Sequence, residues 1–437
     1  MLQQDGSIRA RRHQPMVAQR ALAIARLADT ARRRRTPADE PRVLFYSHDS
    51  FGLGHIRRTL SLCEAVRQRY PRASLLVLTG SSAVSNLPMP EGVDWVKLPC
   101  VTKVDDGEYR SRHLPLGFDA VRAVRRDIIH STALAYRPTL VFVDNVPLGL
   151  KGELRRTLES LRTASPGVRI VLTLRDIIDD PERTIERWRR ERTCETIDRL
   201  YDDVVVYGAR EVFDIVREYR LPSSLAAKTH YAGYIRREPS GSVTGLRARL
   251  ARGADRLVLV TVGGGGDGRH LVESYLEGLA RRGPEGLGDR VHSLVVCGPE
   301  MDADVRQRVR LRHGHRRDVS IIDFTPDLVT TMAASDVVVG MGGYNTVCEV
   351  LSLAKPAVIM PRRAPRLEQW IRCTRLADLG LVRVVHPEHD PAGALMREVG
   401  AALVAPPPPA TSLNLAGLST LDQLLPGFIG ATGAGDR

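Results

Sequence analysis

A strand, a glycine turn and a helix start follow one another within residues 335–369. Val337–Val339 is an apolar β-branched run that predicts a buried strand, and Gly342–Gly343 come shortly after it. From Tyr344 onward the apolar positions have helical spacing. Glycine allows a ligand to approach the backbone closely, and the unpaired N–H groups of a helix start attract anions. This stretch therefore predicts a nucleotide or nucleotide-sugar site at the carboxyl ends of parallel strands.

Units of the same kind recur along the 437-residue chain. Apolar runs alternate with helical patterns of about 10–15 residues, which is typical of a parallel sheet covered on both faces. The alternation lapses into turn residues within 236–245 and then begins again. We predict an α/β protein with two Rossmann-like, doubly wound domains that face each other across a cleft. The expected N-terminal domain is 41–235, the linker 236–245 and the C-terminal domain 246–400.

The two ends of the chain differ in composition from these domains. Residues 1–40 contain Arg32–Arg35 and predict a disordered basic arm, with a helix lying on anionic lipid as the alternative. Residues 401–437 contain Pro406–Pro409 and a Gly/Ala-rich end, which predict a weakly ordered tail. Within that tail, Leu413–Leu425 has the pattern of one closing helix.

Charge and cysteine usage restrict the function classes. The net charge of +13 favours anionic partners such as phosphorylated substrates, acidic lipid or nucleic acid. The six cysteines are scattered without a CxxC pair, which predicts reduced thiols and no zinc site. No apolar run approaches the roughly 18 residues of a membrane span. We expect a cytoplasmic protein, with peripheral contact to the inner face of the cell membrane as the alternative.

A second glycine turn, Gly263–Gly266, follows the predicted strand Leu257–Val262. Each glycine costs about 0.5–1 kcal/mol in backbone ordering, so four in a row call for more than helix packing. A backbone cradle for phosphate explains them, although no Gly-Lys-Ser/Thr follows as in a P-loop.

In the N-terminal half, Gly52 and Gly54 lie between a strand and a helix, and His55 comes directly after them. A histidine at a helix start beside a cleft can take a proton from a hydroxyl group, because its pKa lies near neutrality. A structural hydrogen bond is the competing interpretation. His48 and Asp49 are the reserve candidates for the base.

Asp144 and Arg175 end two further strands of this half and so point to the same cleft. Contact with an acceptor and structural salt bridging both remain open for them. Asp144 is also a reserve candidate for the base.

One set of residues in the C-terminal half is similar to the donor-binding region of the GT-B glycosyltransferases. The similarity is greatest to the family 28 group, which contains the peptidoglycan N-acetylglucosaminyltransferase. The matching positions are Gly342, Gly343, Asn345, Thr346, Glu349, Pro361 and Gln369. The sequence departs from the pattern at Glu368, where many relatives have His. The resemblance spans roughly Arg42 to Pro387.

The resemblance implies an inverting, metal-independent hexosyltransferase without a cofactor. It would move a sugar from an NDP-sugar, expected to be UDP-linked, to an unidentified hydroxyl acceptor that is lipid-linked or belongs to the cell envelope or secondary metabolism. Relatives carry His beside the acceptor in the GxGH loop, which favours His55 as the general base. Glu349 would bind the ribose hydroxyls, and Glu368 with Gln369 would face the hexose. The implied donor-binding residues are Gly263, Gly264, Gly265, Gly266, Gly342, Gly343, Asn345, Thr346, Glu349, Glu368 and Gln369. The implied acceptor or diphosphate residues are Gly52, Gly54, Asp144 and Arg175.

Alternatives remain at this stage. A UDP-sugar hydrolase or 2-epimerase of the same fold would use the same donor pocket. A basic nucleic-acid-binding protein would explain the charge, but the chain has few aromatic residues and no RRM, KH or helix-turn-helix signature.

Two other motifs have competing interpretations. Asp302-Ala303-Asp304 has the form of a metal-binding DxD, but its place at a helix start favours capping. Arg122, Arg125 and Arg126 predict a basic face that is either solvated or docks a lipid phosphate.

Overall fold

The fold is described from a computed structural model, which covers residues 40–48, 54–87, 89–105, 108–283, 287–288, 290–408 and 412–430. Nearly all of the predicted basic arm lies outside the described residues, as do Asp49 and Gly52 of the first glycine loop. None of the helices in the described ranges is long and apolar enough to cross a membrane.

The N-terminal half is built on a parallel sheet of seven strands in the order β3-β2-β1-β6-β7-β8-β9. Two further strands, β4 and β5, form a separate antiparallel hairpin. The strands of this half are β1 (Arg42–Ser47), β2 (Ser74–Thr79), β3 (Val93–Lys97), β4 (Val101–Asp105), β5 (Glu108–Ser111), β6 (Leu140–Asp144), β7 (Arg169–Arg175), β8 (Asp203–Tyr207) and β9 (Thr229–Tyr231).

The C-terminal half is built on a parallel sheet of six strands in the order β12-β11-β10-β13-β14-β15. Apart from the exposed Arg256 at the start of β10, its central strands β10 and β13 are buried because helices cover both faces, as expected for an all-parallel sheet. The strands are β10 (Arg256–Thr261), β11 (Val291–Val296), β12 (Val319–Ile322), β13 (Val337–Gly340), β14 (Ala357–Ile359) and β15 (Arg383–Val384).

Helices connect these strands in both halves. In the first half they are α1 (Gly54–Arg69), α2 (Phe118–Tyr136), α3 (Arg155–Ala164), α4 (Pro181–Glu191), α5 (Thr193–Leu200), α6 (Ile215–Glu218) and α7 (Ser223–Ala227). In the second half they are α8 (Val243–Ala251), α9 (Arg269–Arg281), α10 (Ala303–His313), α11 (Leu328–Ala334), α12 (Tyr344–Leu353), α13 (Glu368–Asp378), α14 (Pro391–Val404) and α15 (Gly417–Ile429).

Each sheet has one point at which the strand order reverses. β1 pairs with β2 on one side and β6 on the other, and β10 pairs with β11 and β13. The connections that leave two such neighbouring strands run to opposite sides, so a crevice opens beyond their carboxyl ends. The loops after β1 and β6 and those after β10 and β13 therefore form the two walls of the cleft.

The two halves share a continuous cluster of buried side chains. This cluster includes Val43 and Phe45 from the first sheet and Leu259 and Val338 from the second. Each sheet also has its own core on its other face. The shared cluster means that apolar burial, as well as the connecting chain, holds the halves together.

The structure describes residues 401–408 and 412–430 of the tail expected over 401–437, and these include helical segments. The boundary expected at residue 400 falls inside α14, and α15 returns to the N-terminal half, where it packs against α1. Leu421 and Leu425 of α15 are completely buried. This agrees with the closing helix that the pattern of Leu413–Leu425 suggested, and burial of its apolar face explains its order.

Arg125 does not belong to the basic face expected on α2. Its side chain is buried and donates from Nε and Nη2 to the Glu153 carboxylate at 2.7 and 2.6 Å. Tyr46 also donates to Glu153, at 2.7 Å. The expectation was wrong for this residue because helical spacing does not reveal an acidic partner that lies on another element.

Asp302, by contrast, caps α10 as expected, accepting from the N–H of Asp304 at 2.8 Å.

Candidate functional site

A cavity of about 820 Å³ lies between the two sheet edges, and both halves contribute to its wall. This volume is within the range of ligand sites, roughly 300–1,000 Å³. Most of the described residues that the sequence nominated line it. They are Gly54, His55, Arg175, Gly263, Gly264, Gly265, Gly266, Gly343, Asn345, Thr346 and Gln369. Residues more than three hundred positions apart, such as Gly54 and Gln369, thus line one cavity because both switch points open towards it.

His55 lies in the first turn of α1 and pairs with Asp144, the last residue of β6. Its Nδ1 is 2.5 Å from Asp144 Oδ2. Arg58, one turn further along α1, donates to the other oxygen of the same carboxylate. A carboxylate accepts hydrogen bonds, so Nδ1 carries the proton and Nε2 is left as the basic nitrogen. This is the tautomer that a general base requires.

The protonation states of this group follow from its burial. Burial lowers the pKa of His55 below its ordinary value, outweighing the opposite effect of Asp144. For Asp144, burial alone would raise the pKa, but Arg58 and His55 outweigh it and hold that pKa well below its usual range. At neutral pH the imidazole is therefore neutral and the carboxylate ionised, as proton abstraction by Nε2 needs.

Two further side chains at this edge each have one buried nitrogen without a hydrogen-bond partner among the described residues. Arg175 ends β7, and its buried Nε has no partner in the described structure. Burial and the nearby Arg58 lower the pKa of Arg175 to about 10. His48 follows β1, and burial lowers its pKa to about 3, so it is neutral; its buried Nδ1 also lacks a partner. An anion in the cavity would relieve the desolvation of Arg175.

On the opposite wall, the glycines have distinct physical roles. Gly342 has φ +79°, and a Cβ placed there would lie 2.2 Å from Cys373 Sγ. Gly265 has φ +95°, and its Cβ would lie 2.4 Å from the carbonyl oxygen of Cys297. At both positions a side chain would collide with a neighbouring residue, so close packing requires glycine there. Gly263 has φ +64° with open space around it, so there the bare backbone meets the cavity.

The amino end of α12 supplies free backbone donors. Its first internal hydrogen bond runs from the Val347 N–H to the Gly343 carbonyl at 3.0 Å. The N–H groups of Tyr344, Asn345 and Thr346 therefore precede the first helical bond, as at any helix start. Because Asn345 and Thr346 line the cavity, this end of the helix meets it with donors and a positive dipole.

Glu349 lies one turn further along α12 and is only 5% exposed. It lines a narrow space of about 100 Å³ together with Arg57, Gly263 and Thr346. Gly263 and Thr346 also line the main cavity, so the two spaces adjoin. Burial raises the pKa of Glu349 to about 7, opposed by Arg237 and Arg57. A buried carboxylate beside the main cavity is placed to accept hydrogen bonds from a diol.

Glu368 and Gln369 begin α13, and both are engaged by Arg362. Glu368 Oε1 accepts from Arg362 at 2.7 Å, while its buried Oε2 has no partner among the described residues. The Gln369 amide, oriented to satisfy its neighbours, donates to the Met341 carbonyl at 2.7 Å and accepts from Arg362 Nε at 3.2 Å. Arg362 in turn donates to Asp267 at 2.7 Å. Gln369 and Arg362 line the cavity.

The structure adds two residues that the sequence had not nominated, Arg58 and Arg362. Arg58 could have been found, because it lies three residues after His55 on the same helix face. Arg362 gave no signal, since its partners are distant in sequence or belong to the next helix.

Comparison with known proteins finds a family model that part of the C-terminal half matches. Residues 257–385 match the model of the glycosyltransferase family 28 C-terminal domain. A curated relative from Histophilus somni is the UDP-N-acetylglucosamine–N-acetylmuramyl-(pentapeptide) pyrophosphoryl-undecaprenol N-acetylglucosamine transferase. It is 27% identical over 135 residues, which cover 30% of this chain and 36% of the relative. The match therefore spans little more than a third of that relative.

Solved structures align over most of the chain at low identity. MurG from Acinetobacter baumannii aligns with a TM-score of 0.52 and 13% identity, covering 89% of this chain and 100% of that one. A putative UDP-N-acetylglucosamine 2-epimerase from Listeria monocytogenes aligns with a TM-score of 0.57 and 9% identity, covering 89% and 97%. The fold is GT-B.

The GT-B assignment confirms the predicted fold class of two facing Rossmann-like domains. The resemblance to family 28 is likewise confirmed, with the matched residues confined to the C-terminal domain. In GT-B terms, the cavity is the cleft between the two domains, with His55 on its N-terminal wall and the glycine turns on its C-terminal wall.

Glu349→Gln is expected to stabilise the ligand-free protein at about pH 8 and to change its stability little at about pH 5. Because the pKa of Glu349 is raised from 4.5 to about 7, the folded chain binds more protons between these values than the unfolded chain. The stability that protonation contributes is present below 4.5 and is lost as the pH rises through 7. This loss is on the order of 3 kcal/mol.

Urea denaturation of both proteins at the two pH values measures the difference. Glu64→Gln, at an exposed position of α1, is the control for removing a carboxylate. If Glu349→Gln changed the free energy of unfolding equally at both pH values, this would contradict the inference that the Glu349 carboxyl group is buried and binds a proton on folding.

Proposed function

We propose that this chain is an inverting, metal-independent glycosyltransferase that moves a hexose-type sugar from a UDP-sugar to a hydroxyl acceptor. One observation carries the proposal. A histidine in its base-competent tautomer faces two glycine turns across a single cavity of about 820 Å³, and on the histidine's own wall Arg175 has a buried Nε without a partner in the described structure. A base opposite an anion site is what transfer from a sugar diphosphate to a hydroxyl requires.

His55 would act on the acceptor. Its Nε2 takes the proton of the acceptor hydroxyl as that oxygen attacks the anomeric carbon, and Asp144 stabilises the resulting imidazolium. A single displacement inverts the configuration at this carbon. Because Asp144 is held by both His55 and Arg58, the ring is fixed through Nδ1 at the edge of the cavity that His55 lines.

The C-terminal wall and Arg175 would act on the leaving group. The diphosphate gains charge as the glycosidic bond breaks. The free N–H groups at the start of α12, the backbone at Gly263 and Gly264, and the Arg175 guanidinium are placed to compensate it. Glu349 would accept hydrogen bonds from the ribose hydroxyls, and Gln369 and Glu368 would contact the hexose.

The acceptor is proposed to be lipid-linked. The name of the Histophilus somni relative specifies a pyrophosphoryl-undecaprenol acceptor. In this chain, four exposed apolar side chains belong to β4, the segment after β5 and α2, and one of them, Val104, also lines the cavity. They are Val104, Leu114, Leu116 and Val124, with exposed fractions of 60%, 42%, 48% and 42%. Arg110 and Arg112, exposed beside them, would favour an anionic surface.

Two other functions remain as outcomes of the tests. A UDP-sugar hydrolase or 2-epimerase would use the same donor pocket, and the likeness to the Listeria monocytogenes structure concerns the fold alone. A nucleic-acid-binding protein would use the basic charge without the donor pocket.

UDP-sugars are expected to raise the melting temperature of the protein, because a ligand that binds only the folded state stabilises it. A thermal-shift screen of UDP-, GDP- and dTDP-sugars tests this and identifies the base. Slow UDP release without acceptor and fast release with added lipid-linked acceptors would support transfer. Fast release with water alone would indicate a hydrolase, and a new sugar isomer an epimerase. Salt-sensitive nucleic-acid binding without any nucleotide-sugar affinity would overturn the proposal.

His55→Ala is expected to lower kcat by about 10²–10⁴-fold while leaving UDP affinity nearly unchanged, because the base acts only on the acceptor. Since the pKa of His55 lies below 6.5, wild-type kcat/KM should be flat above that pH and fall below it as the imidazole is protonated. UDP-release assays across pH measure both effects. His315→Ala, at an exposed site, is the control. A loss of UDP affinity equal to the loss of kcat would assign His55 to donor binding instead.

Leu114→Ser combined with Leu116→Ser should reduce binding to vesicles of anionic phospholipid, since both side chains are exposed in the segment that follows β5. Co-sedimentation measures the bound fraction. Leu311→Ser, at a side chain that is 76% exposed on the C-terminal half, serves as the control. Equal loss in both proteins would remove this surface from the proposed acceptor path.

A further inference from the structure

A second cavity, of about 730 Å³, lies in the C-terminal half. Its wall comes from the end of α8 and from residues near the start of β10, β11 and β12. These three strands are parallel neighbours, so their amino ends meet at one edge of the sheet. The glycine turns of the cleft lie at the carboxyl edge instead, and the six residues of β10 alone span about 20 Å. The two cavities are therefore separate sites.

Arginine dominates the wall of this second cavity. Four arginines line it, namely Arg252, Arg290, Arg316 and Arg317. Asp318 is the one acidic residue among the described lining residues, and it accepts from Arg316 Nε at 2.9 Å and from Nη2 at 2.7 Å. Arg290 donates to Asp255, which does not line the cavity, at 2.5 Å. Two of the four guanidinium groups are thus paired with carboxylates.

The other two arginines, Arg252 and Arg317, have no carboxylate partner among the described residues. Both are exposed, and Arg252 donates to the Ser320 hydroxyl at 3.2 Å. Burial and the nearby Arg252 lower the pKa of His292, another lining residue, so its imidazole is neutral at pH 7. Four guanidinium groups and two carboxylates leave the described groups with a net charge of +2 when histidine is neutral.

A phosphate monoester matches this charge and these donors. It carries about 1.5 to 2 negative charges at pH 7, and its oxygens accept the paired N–H groups of a guanidinium. The volume of the cavity is within the range of small-molecule sites, roughly 300–1,000 Å³. The wall leaves room for a ligand, since a Cβ at Gly253, Gly283 or Gly288 would meet no described residue within 4 Å beyond its chain neighbours. Nucleic acid is bound by arginines that follow a stripe along one face, whereas these arginines line one concavity.

We propose that the second cavity binds a small ligand that carries a phosphate monoester, held by Arg252 and Arg317. Arg252 ends α8 and Arg317 precedes β12, so the ligand would contact two segments that are distant in sequence. None of the described lining residues is a large exposed apolar side chain, which favours a soluble ligand over the headgroup of a membrane lipid. The site requires neither a sugar donor nor an acceptor and does not rest on the proposed function.

Arg252→Gln combined with Arg317→Gln is the test variant, because it removes the two arginines that lack carboxylate partners. Arg308→Gln combined with Arg312→Gln is the matched control. Arg308 and Arg312 are also exposed on the C-terminal half, but they belong to α10 and do not line this cavity. Since all four side chains are exposed, both variants are expected to keep the melting temperature of the unaltered protein.

Calorimetry with sn-glycerol 3-phosphate, a soluble phosphate monoester, is the first readout. The unaltered protein is expected to bind it and not to bind glycerol. The test variant should bind it about tenfold or more weakly, because it loses two charge-assisted contacts, whereas the control should change the affinity by less than about threefold. No binding to the unaltered protein, or equal affinities of the two double variants, would overturn the proposal. Binding in the cleft would also leave the two variants equal.

Co-sedimentation with vesicles that contain phosphatidic acid tests the membrane source of the same chemical group. Vesicles of phosphatidylglycerol, whose phosphate is a diester, are the control. Equal vesicle binding by the test and control variants, together with weaker glycerol 3-phosphate binding by the test variant, would support a soluble ligand. A loss of binding by the test variant that is confined to phosphatidic acid would support the phosphate monoester and assign it to a lipid headgroup. A single-stranded oligonucleotide whose binding depends on Arg252 and Arg317, without any binding of glycerol 3-phosphate, would overturn the proposal.

Discussion

The site depends on the direction of the strands. Parallel pairing sends every strand of a sheet out at the same edge, and the reversal of strand order opens that edge between β1 and β6 and between β10 and β13. The free backbone donors and the polar side chains lie in the loops beyond that edge, because the strands themselves are buried and mostly apolar. Placing the two edges face to face brings His55 of one half and the glycine turns of the other half to the same cavity.

The charges around the cleft divide into those with partners and those without. Asp144, Asp176 and Glu153 each accept from an arginine, and these buried pairs organise the walls. Arg175, Asn345 and Glu368 each keep a buried polar atom without a partner in the described structure. Buried polar atoms are almost always hydrogen-bonded in folded proteins, so a group of unsatisfied ones around a cavity is best explained by a ligand that completes them.

Much of this organisation could be read from the chain before folding. The glycine turns after β10 and β13, the helix starts beyond them and the alternation of strands with helices depend on local spacing, which is visible in the sequence. His55 was recognisable because its helix start follows a glycine loop. The burial of Arg125 was not, because its acidic partner Glu153 lies 28 residues further along the chain. The order of α15 likewise depends on a distant part of the chain, because α15 packs against α1, which lies about 350 residues earlier.

The sequence by itself determined the two-domain α/β fold, the positions of the glycine turns and the nomination of His55, since each follows from residue types within one strand-turn-helix unit. Only the tertiary structure decided that Asp144 fixes the tautomer of His55, that burial brings the pKa of Glu349 to about 7, and that Arg372 connects the turn at Gly342 to Asp176. The physical reason is the same in each case. Hydrogen bonds between distant elements and the desolvation of a charge depend on which surfaces pack together. The local sequence pattern does not show which surfaces these are.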